Sequence, residues 1–290
     1  MLFKGRRQSG NVLDFRGGGG PRMGFRGGII GTLVLALIVW ILGGNPMSVL
    51  QDITGQAPTS NVATTPVAGN DEMGEFVRVV LADTEDVWHK LFSDAGQTYR
   101  EPTLVLFNGS IQSACGNAQA ASGPFYCPED ERIYIDLDFL QVLQQQLGAQ
   151  GDFAAAYIIA HEVGHHVQKQ LGTLQALDQL RASGASESQI NEMSVRTELQ
   201  ADFLAGVWIH HGQQMKHFME KGDLEEALNA AAAVGDDKIQ MATQGQVHPD
   251  SFTHGTAAQR KAWLQKGIET GDISQGNTFG QQQQGPYSRQ

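Results

Sequence analysis

The sequence predicts an α+β domain, mostly helical with a small sheet, preceded by one transmembrane helix. Three observations carry that prediction. An uncharged apolar run sits near the start, two short β-patterned runs come early in the body, and the rest repeats apolar residues at helical spacing. The chain has 290 residues, 41% of them hydrophobic, enough to bury a sizeable core. Its formal net charge is −11, and Lys4, Arg6, Arg7, Arg16, Arg22 and Arg26 crowd the first 26 residues. The body is therefore more acidic still, which argues against a nucleic-acid partner, whose binding needs a basic face.

Residues 1–28, rich in Gly and Arg and without a periodic pattern, read as a flexible basic arm in the cytoplasm. Residues 29–47 carry no charge, and their centre runs Ile29 to Leu42 without a polar break other than Thr32. With its flanking glycines the run reaches the roughly 17–25 residues needed to cross a bilayer. Gly43-Gly44-Asn45-Pro46 makes a poor cleavage site, so the run reads as an uncleaved anchor. Basic residues before the run and none just after it predict a single pass through a bacterial inner membrane, with the body periplasmic or extracellular. Residues 48–70, rich in Thr, Pro, Gly and Ala, read as a linker.

The folded domain is expected over 71–274. Phe76, Val79, Val80, Val87, Trp88 and Leu91 recur at helical spacing, predicting a helix over 72–93. Thr103–Phe107 is a strand candidate, and alternation over Arg132–Leu137 predicts a second. Arg132–Asp138 is either a core strand or an edge that pairs with an extended substrate. Helices follow at 138–147, 152–171, 187–212, 223–234 and 257–268. Asp152 stands at an N-cap position, and Thr256 with Gln259 forms a capping box. Trp208 and Trp263 read as core. The Gln-rich residues 275–290 read as a disordered tail. Cys115 and Cys127 are too few for a four-cysteine zinc site. They form one bridge in an oxidising compartment or remain two buried thiols, and the expected export favours the bridge.

The chemistry lies in the second long helix, at His161-Glu162-Val163-Gly164-His165. Four residues apart, the two histidines stand about 40° apart on one helix face, one turn from each other. Two imidazoles so placed reach one ion at about 2.0–2.1 Å. Glu162 lies to the side of that face, where a carboxylate can take a proton from a metal-activated water. A catalytic zinc needs a third protein ligand and an open position. Glu198 and Asp202, one turn apart on the next long helix, suit a ligand and an acceptor for the free ring N–H of His161. Glu192, His210 and His211 compete for the ligand role, but their offsets serve it less well. His166 reads as a packing residue, and His89, His217 and His248 as surface residues.

HEVGHH followed by ELQAD resembles the glutamate-zincins, which implies one zinc per chain and a zincin-like fold. Thr253-His254, followed by Arg260 six residues on, is similar to the third motif of the HtpX-like membrane peptidases. That likeness implies His254 as oxyanion donor and Arg260 as its support. Gly255 departs from it, since a proline is usual there. Along most of its length the chain resembles the bacterial neutral zinc metallopeptidase (YpfJ-like) family. The likeness rests on GRRQSGNVLDFR, GPFYCP, RIYIDLDF, AHEVGHHVQ, ELQADFLAGVW, GDLEEALNAA and PDSFTHGTAAQR. The resemblance implies the label peptidase and supplies no substrate; together with the anchor and the motif chemistry, the expected function is that of a membrane-anchored zinc metalloendopeptidase acting on a protein or peptide. Two rivals are a non-catalytic, zinc-stabilised assembly factor tethered to the membrane and a zinc amidase acting on cell-wall material.

Overall fold

In the computed structural model, the described residues are 1–16, 71–119, 123–137, 139 and 152–280. The expected anchor at 29–47, the linker at 48–70 and, apart from residue 139, the helix at 138–147 lie outside them, as do residues 281–290. No described helix is long and apolar enough to cross a membrane.

The domain starts earlier than expected. β1 (Val12–Asp14) pairs in parallel with β2 (Thr103–Phe107), Val12 opposite Leu104. Residues 1–16 are thus folded onto the body, which corrects their reading as a flexible arm. Of the arginines read there as a basic cluster, Arg6 and Arg7 are engaged instead by carboxylates of α1 (Glu72–Asp94). At the other end, Gln200 Nε2 donates to the Gly276 carbonyl at 3.0 Å and Thr278 Oγ1 to the Arg196 carbonyl at 2.6 Å. The domain therefore extends at least to residue 278, past the expected boundary at 274.

A hairpin, β3 (Ser110–Ser113) and β4 (Gly116–Gln119), separates β2 from β5 (Phe125–Cys127) and β6 (Arg132–Asp136). The main sheet has the order β1-β2-β6-β5, with the first three strands parallel and β5 antiparallel to β6. Leu104, Val105, Leu106, Ile133, Tyr134 and Ile135 are all buried, the near-continuous burial that parallel strands covered on both faces require. β6 is interior, so it is not the edge strand that the sequence allowed it to be. Within this sheet β5 holds that edge, and the Cys115–Cys127 disulfide ties it to the β3–β4 hairpin.

Among the described residues six further α-helices follow: α2 (Asp152–Leu171), α3 (Thr173–Ala182), α4 (Glu187–Lys216), α5 (Asp223–Ala233), α6 (Asp236–Gln244) and α7 (Ala257–Thr270). The Thr256–Gln259 capping box forms as expected and starts α7. Asp152 is the first residue of α2, and its carboxylate accepts from the Met1 amino group at 2.6 Å. The core joins Phe153, Trp208 and Phe218, with ring centroids 6.3 and 5.2 Å apart along the row.

Two glycine contacts set how closely the site helices approach. A Cβ on Gly164 of α2 would lie 3.0 Å from the Ala201 carbonyl oxygen of α4. A Cβ on Gly206 would lie 2.3 Å from the Leu264 carbonyl oxygen, and one on Gly267 2.1 Å from that of Phe203. At the Gly206–Gly267 crossing the obstacle is main chain, which cannot swing aside. Gly206→Ala should therefore push α7 off α4 and destabilise the domain by at least about 1–3 kcal/mol, read as a fall in the urea midpoint at unchanged m.

Candidate metal centre

The α2–α4 contact at Gly164 brings the two motif-bearing helices side by side, running antiparallel. His161 and His165 then face Glu198. His161 Nε2 lies 3.1 Å from Glu198 Oε2, and His165 Nε2 lies 3.4 Å from Oε1. One ligand atom from each of the three residues lies within 4.8 Å of the others. Two imidazoles and a carboxylate are the donor set of many three-residue zinc sites, so these residues fit the ion that their spacing implied.

The other nitrogen of each imidazole is occupied. His161 Nδ1 lies 2.9 Å from Asp202 Oδ1, an obligate acceptor, which puts the proton on Nδ1 and leaves Nε2 free to ligate. His165 Nδ1 lies 2.8 Å from Gln168 Oε1. Gln168 is itself oriented by its amide, which donates to the Thr197 carbonyl at 2.7 Å and to Gln200 Oε1 at 3.0 Å.

Asp202 does more than accept from His161. Tyr157 donates to its Oδ1 at 2.5 Å, and Arg260 of α7 reaches Oδ2 through Nε at 2.8 Å and Oδ1 through Nη2 at 3.0 Å. All of these groups are buried. Burial disfavours ionised Asp202, yet Arg260 and His161 hold its carboxyl down at about 2. Burial also opposes charge on His161, but the charge and hydrogen bond of Asp202, helped by Glu198, lift it to about 10. Glu198 is held well below the carboxylate range by the two histidines, in spite of its burial. Without an ion, the histidines and carboxylates of the pocket thus balance one another's charge.

The location of Arg260 changes the role implied for it. Its guanidinium is occupied by Asp202, the Tyr157 hydroxyl and the Val234 carbonyl. It acts on His161 through Asp202 and is not the support of His254. That support is Asp236, which the sequence reading missed. Asp236 Oδ2 accepts the backbone N–H of Thr253, His254 and Gly255 at 2.8, 2.6 and 3.0 Å. Its Oδ1 lies 3.2 Å from His254 Nδ1. The His254 side chain is half exposed, and its charge and that of Glu198 act on each other. Gly255 has φ +90° and donates its N–H, two things proline cannot do. That explains the departure from the usual motif.

Glu162 is buried beside the ligands. Its burial raises its pKa above the usual range, while His161 and His165 pull the other way. The backbone of Tyr126, on the edge strand β5, lies close to its carboxylate and favours the ionised form. Glu192 forms an exposed ion pair with Arg196, and His210 and His211 bond the Ile268 and Gly271 carbonyls, so none of these three competes for the ion. His166 packs between the Tyr126 hydroxyl and the Arg100 carbonyl, as a structural residue should.

A family model described as "Putative neutral zinc metallopeptidase" matches residues 1–279. An Escherichia coli K12 protein, "Uncharacterized protein YpfJ", is 47% identical over 286 residues, covering 97% of this chain and 99% of its own length. A Mycobacterium bovis protein, also uncharacterized by name, is 46% identical over 191 residues, 62% of this chain and 63% of its own. No solved structure matches.

Asp202→Ala should lower zinc affinity about 10–100-fold in a competitive chelator titration, because His161 loses the partner that orients it. It should also cost about 3–5 kcal/mol of stability, since Arg260 is left as an unpaired buried charge.

Proposed function

This chain belongs to the neutral zinc metallopeptidase family, and on that premise we propose that it hydrolyses peptide bonds in proteins or peptides at a zinc held by His161, His165 and Glu198. The observation that carries the reading is Glu162. It is buried beside both histidines and close to the backbone of a sheet-edge strand, a position that a purely structural metal site would not use. This favours an enzyme over an assembly factor.

When bound, the zinc supplies Lewis acidity that acidifies a water molecule and polarises the scissile carbonyl. Glu162 takes the proton of the attacking water and returns it to the departing amine. Its raised pKa brings its proton affinity closer to that of the groups it serves. His254, on the loop clamped by Asp236, donates a hydrogen bond to the oxyanion. Among the described residues β5 is the sheet edge next to Glu162, where an extended substrate can pair by backbone hydrogen bonds. Tyr157, Asp202 and Arg260 touch no reacting atom and keep His161 in its ligating tautomer.

The apolar run 29–47 is the proposed membrane attachment. The Cys115–Cys127 disulfide fits a domain that works outside the cytoplasm of a bacterium.

Glu162→Gln should bind zinc like the parent protein and lose turnover by at least about 10²-fold, the lower end of what a positioned base contributes. Turnover retained at full zinc occupancy would contradict the assignment. Asp236 raises the His254 pKa against the effect of burial. In Asp236→Asn the imidazolium should lose its proton at lower pH, so the alkaline limb of kcat/KM should move to lower pH.

A further inference from the structure

Residues 1–16 supply no ligand, yet they are built into the domain. Leu104 N–H donates to the Asn11 carbonyl at 2.9 Å and Phe15 N–H to the Leu106 carbonyl at 2.8 Å, on either side of the β1 ladder. Beside the strand, arginines meet carboxylates of α1. Arg6 pairs with Asp83 at 2.8 Å, and Arg7 with Glu85 at 3.0 Å and Asp86 at 2.7 Å. Asp83 and Glu85 are 2% and 1% exposed. The other Glu85 oxygen accepts from the Ser9 hydroxyl and from the Asn11 amide at 2.9 Å. Without residues 1–16, α1 would carry acids placed for burial and stripped of these partners, and β2 would lose one of its two neighbours. A folded domain tolerates such acids poorly.

The point of departure is equally specific. Arg16 grips Asp71, the N-cap of α1, through Nη1 at 2.8 Å and Nη2 at 2.6 Å. Residues 16 and 71, on either side of the apolar run in the sequence, are therefore held together at one place. A single crossing between those residues would hold them on opposite faces of a hydrocarbon layer about 30 Å thick. The contact between them excludes that. The family match also begins at residue 1, so this stretch belongs to the length that the family shares.

We propose that residues 1–16 are an integral part of the domain and lie on the same side of the membrane as the metal centre. This replaces the cytoplasmic arm that the charge pattern suggested. Arg6, Arg7 and Arg16 are engaged by protein carboxylates, so they are not the free positive charges on which that rule depends. The proposal stands whether or not the centre cuts peptide bonds.

The test uses the full chain in its own membrane, with Cys115 and Cys127 bridged. Lys4→Cys and Asp178→Cys place single thiols at side chains that are 70% and 67% exposed. Each variant is treated with a membrane-impermeant maleimide on intact and on permeabilised cells. The two thiols should behave alike, both labelled or both protected in intact cells. Labelling of one and protection of the other would overturn the proposal. A second arm joins Lys4→Cys to Glu72→Cys, replacing an ion pair of 2.6 Å, with a short bis-maleimide in intact membranes. The linked peptide should appear by mass spectrometry, and its absence where each thiol labels singly would overturn the proposal.

Discussion

Asp202 is the group on which the rest of the centre depends. Its two oxygens join three helices: Tyr157 and His161 come from α2, the carboxylate from α4 and Arg260 from α7. A buried charge is stable only when it is paired and hydrogen-bonded, so each partner is obliged to stay in place. The same pairing fixes the His161 proton on Nδ1 and turns Nε2 toward Glu198 and His165. The glycines at 164, 206 and 267 permit this by letting the backbones approach closely enough for short side chains to meet. Packing and metal chemistry are therefore one design problem here. A larger residue at Gly206 is expected to disturb the centre without touching a ligand.

Much of this was legible in the residues. Long periodic helices and the His-x-x-x-His spacing are local properties, so His161, Glu162 and His165 stood out at once, as did Glu198 and Asp202 at one-turn spacing. The pieces that escaped notice are those with little local signal. β1, β3, β4 and β5 are three or four residues long, too short for alternation to register. α3 buries only Leu177 and α6 only Asp236, so neither has an apolar stripe. Asp236 acts across 18 residues of chain on His254, a relation that no spacing rule encodes. Arg260 was found but misplaced, because its motif does not say which carboxylate it meets.

The amino-terminal residues show how charge can mislead. Read along the sequence, Arg6, Arg7 and Arg16 are a basic cluster before an apolar run, the usual mark of an inner-membrane orientation. In the fold they are counter-ions for α1 acids and for the helix cap at Asp71. Composition supplies the charges, and only tertiary structure shows how they are used. The same reasoning makes the full chain, and not a fragment starting at residue 71, the proper object for biochemistry.

The central claim is that the Glu198–His161–His165 centre is a peptidase site and not a structural clasp. Its most direct test is to incubate the full-length protein with a denatured protein mixture and sequence new termini by mass spectrometry, in three states: zinc-loaded, stripped by chelator, and reloaded with zinc. New termini that appear with zinc, vanish with chelator and return on reloading are the predicted result. Zinc bound at one per chain with no new termini in any state would contradict it.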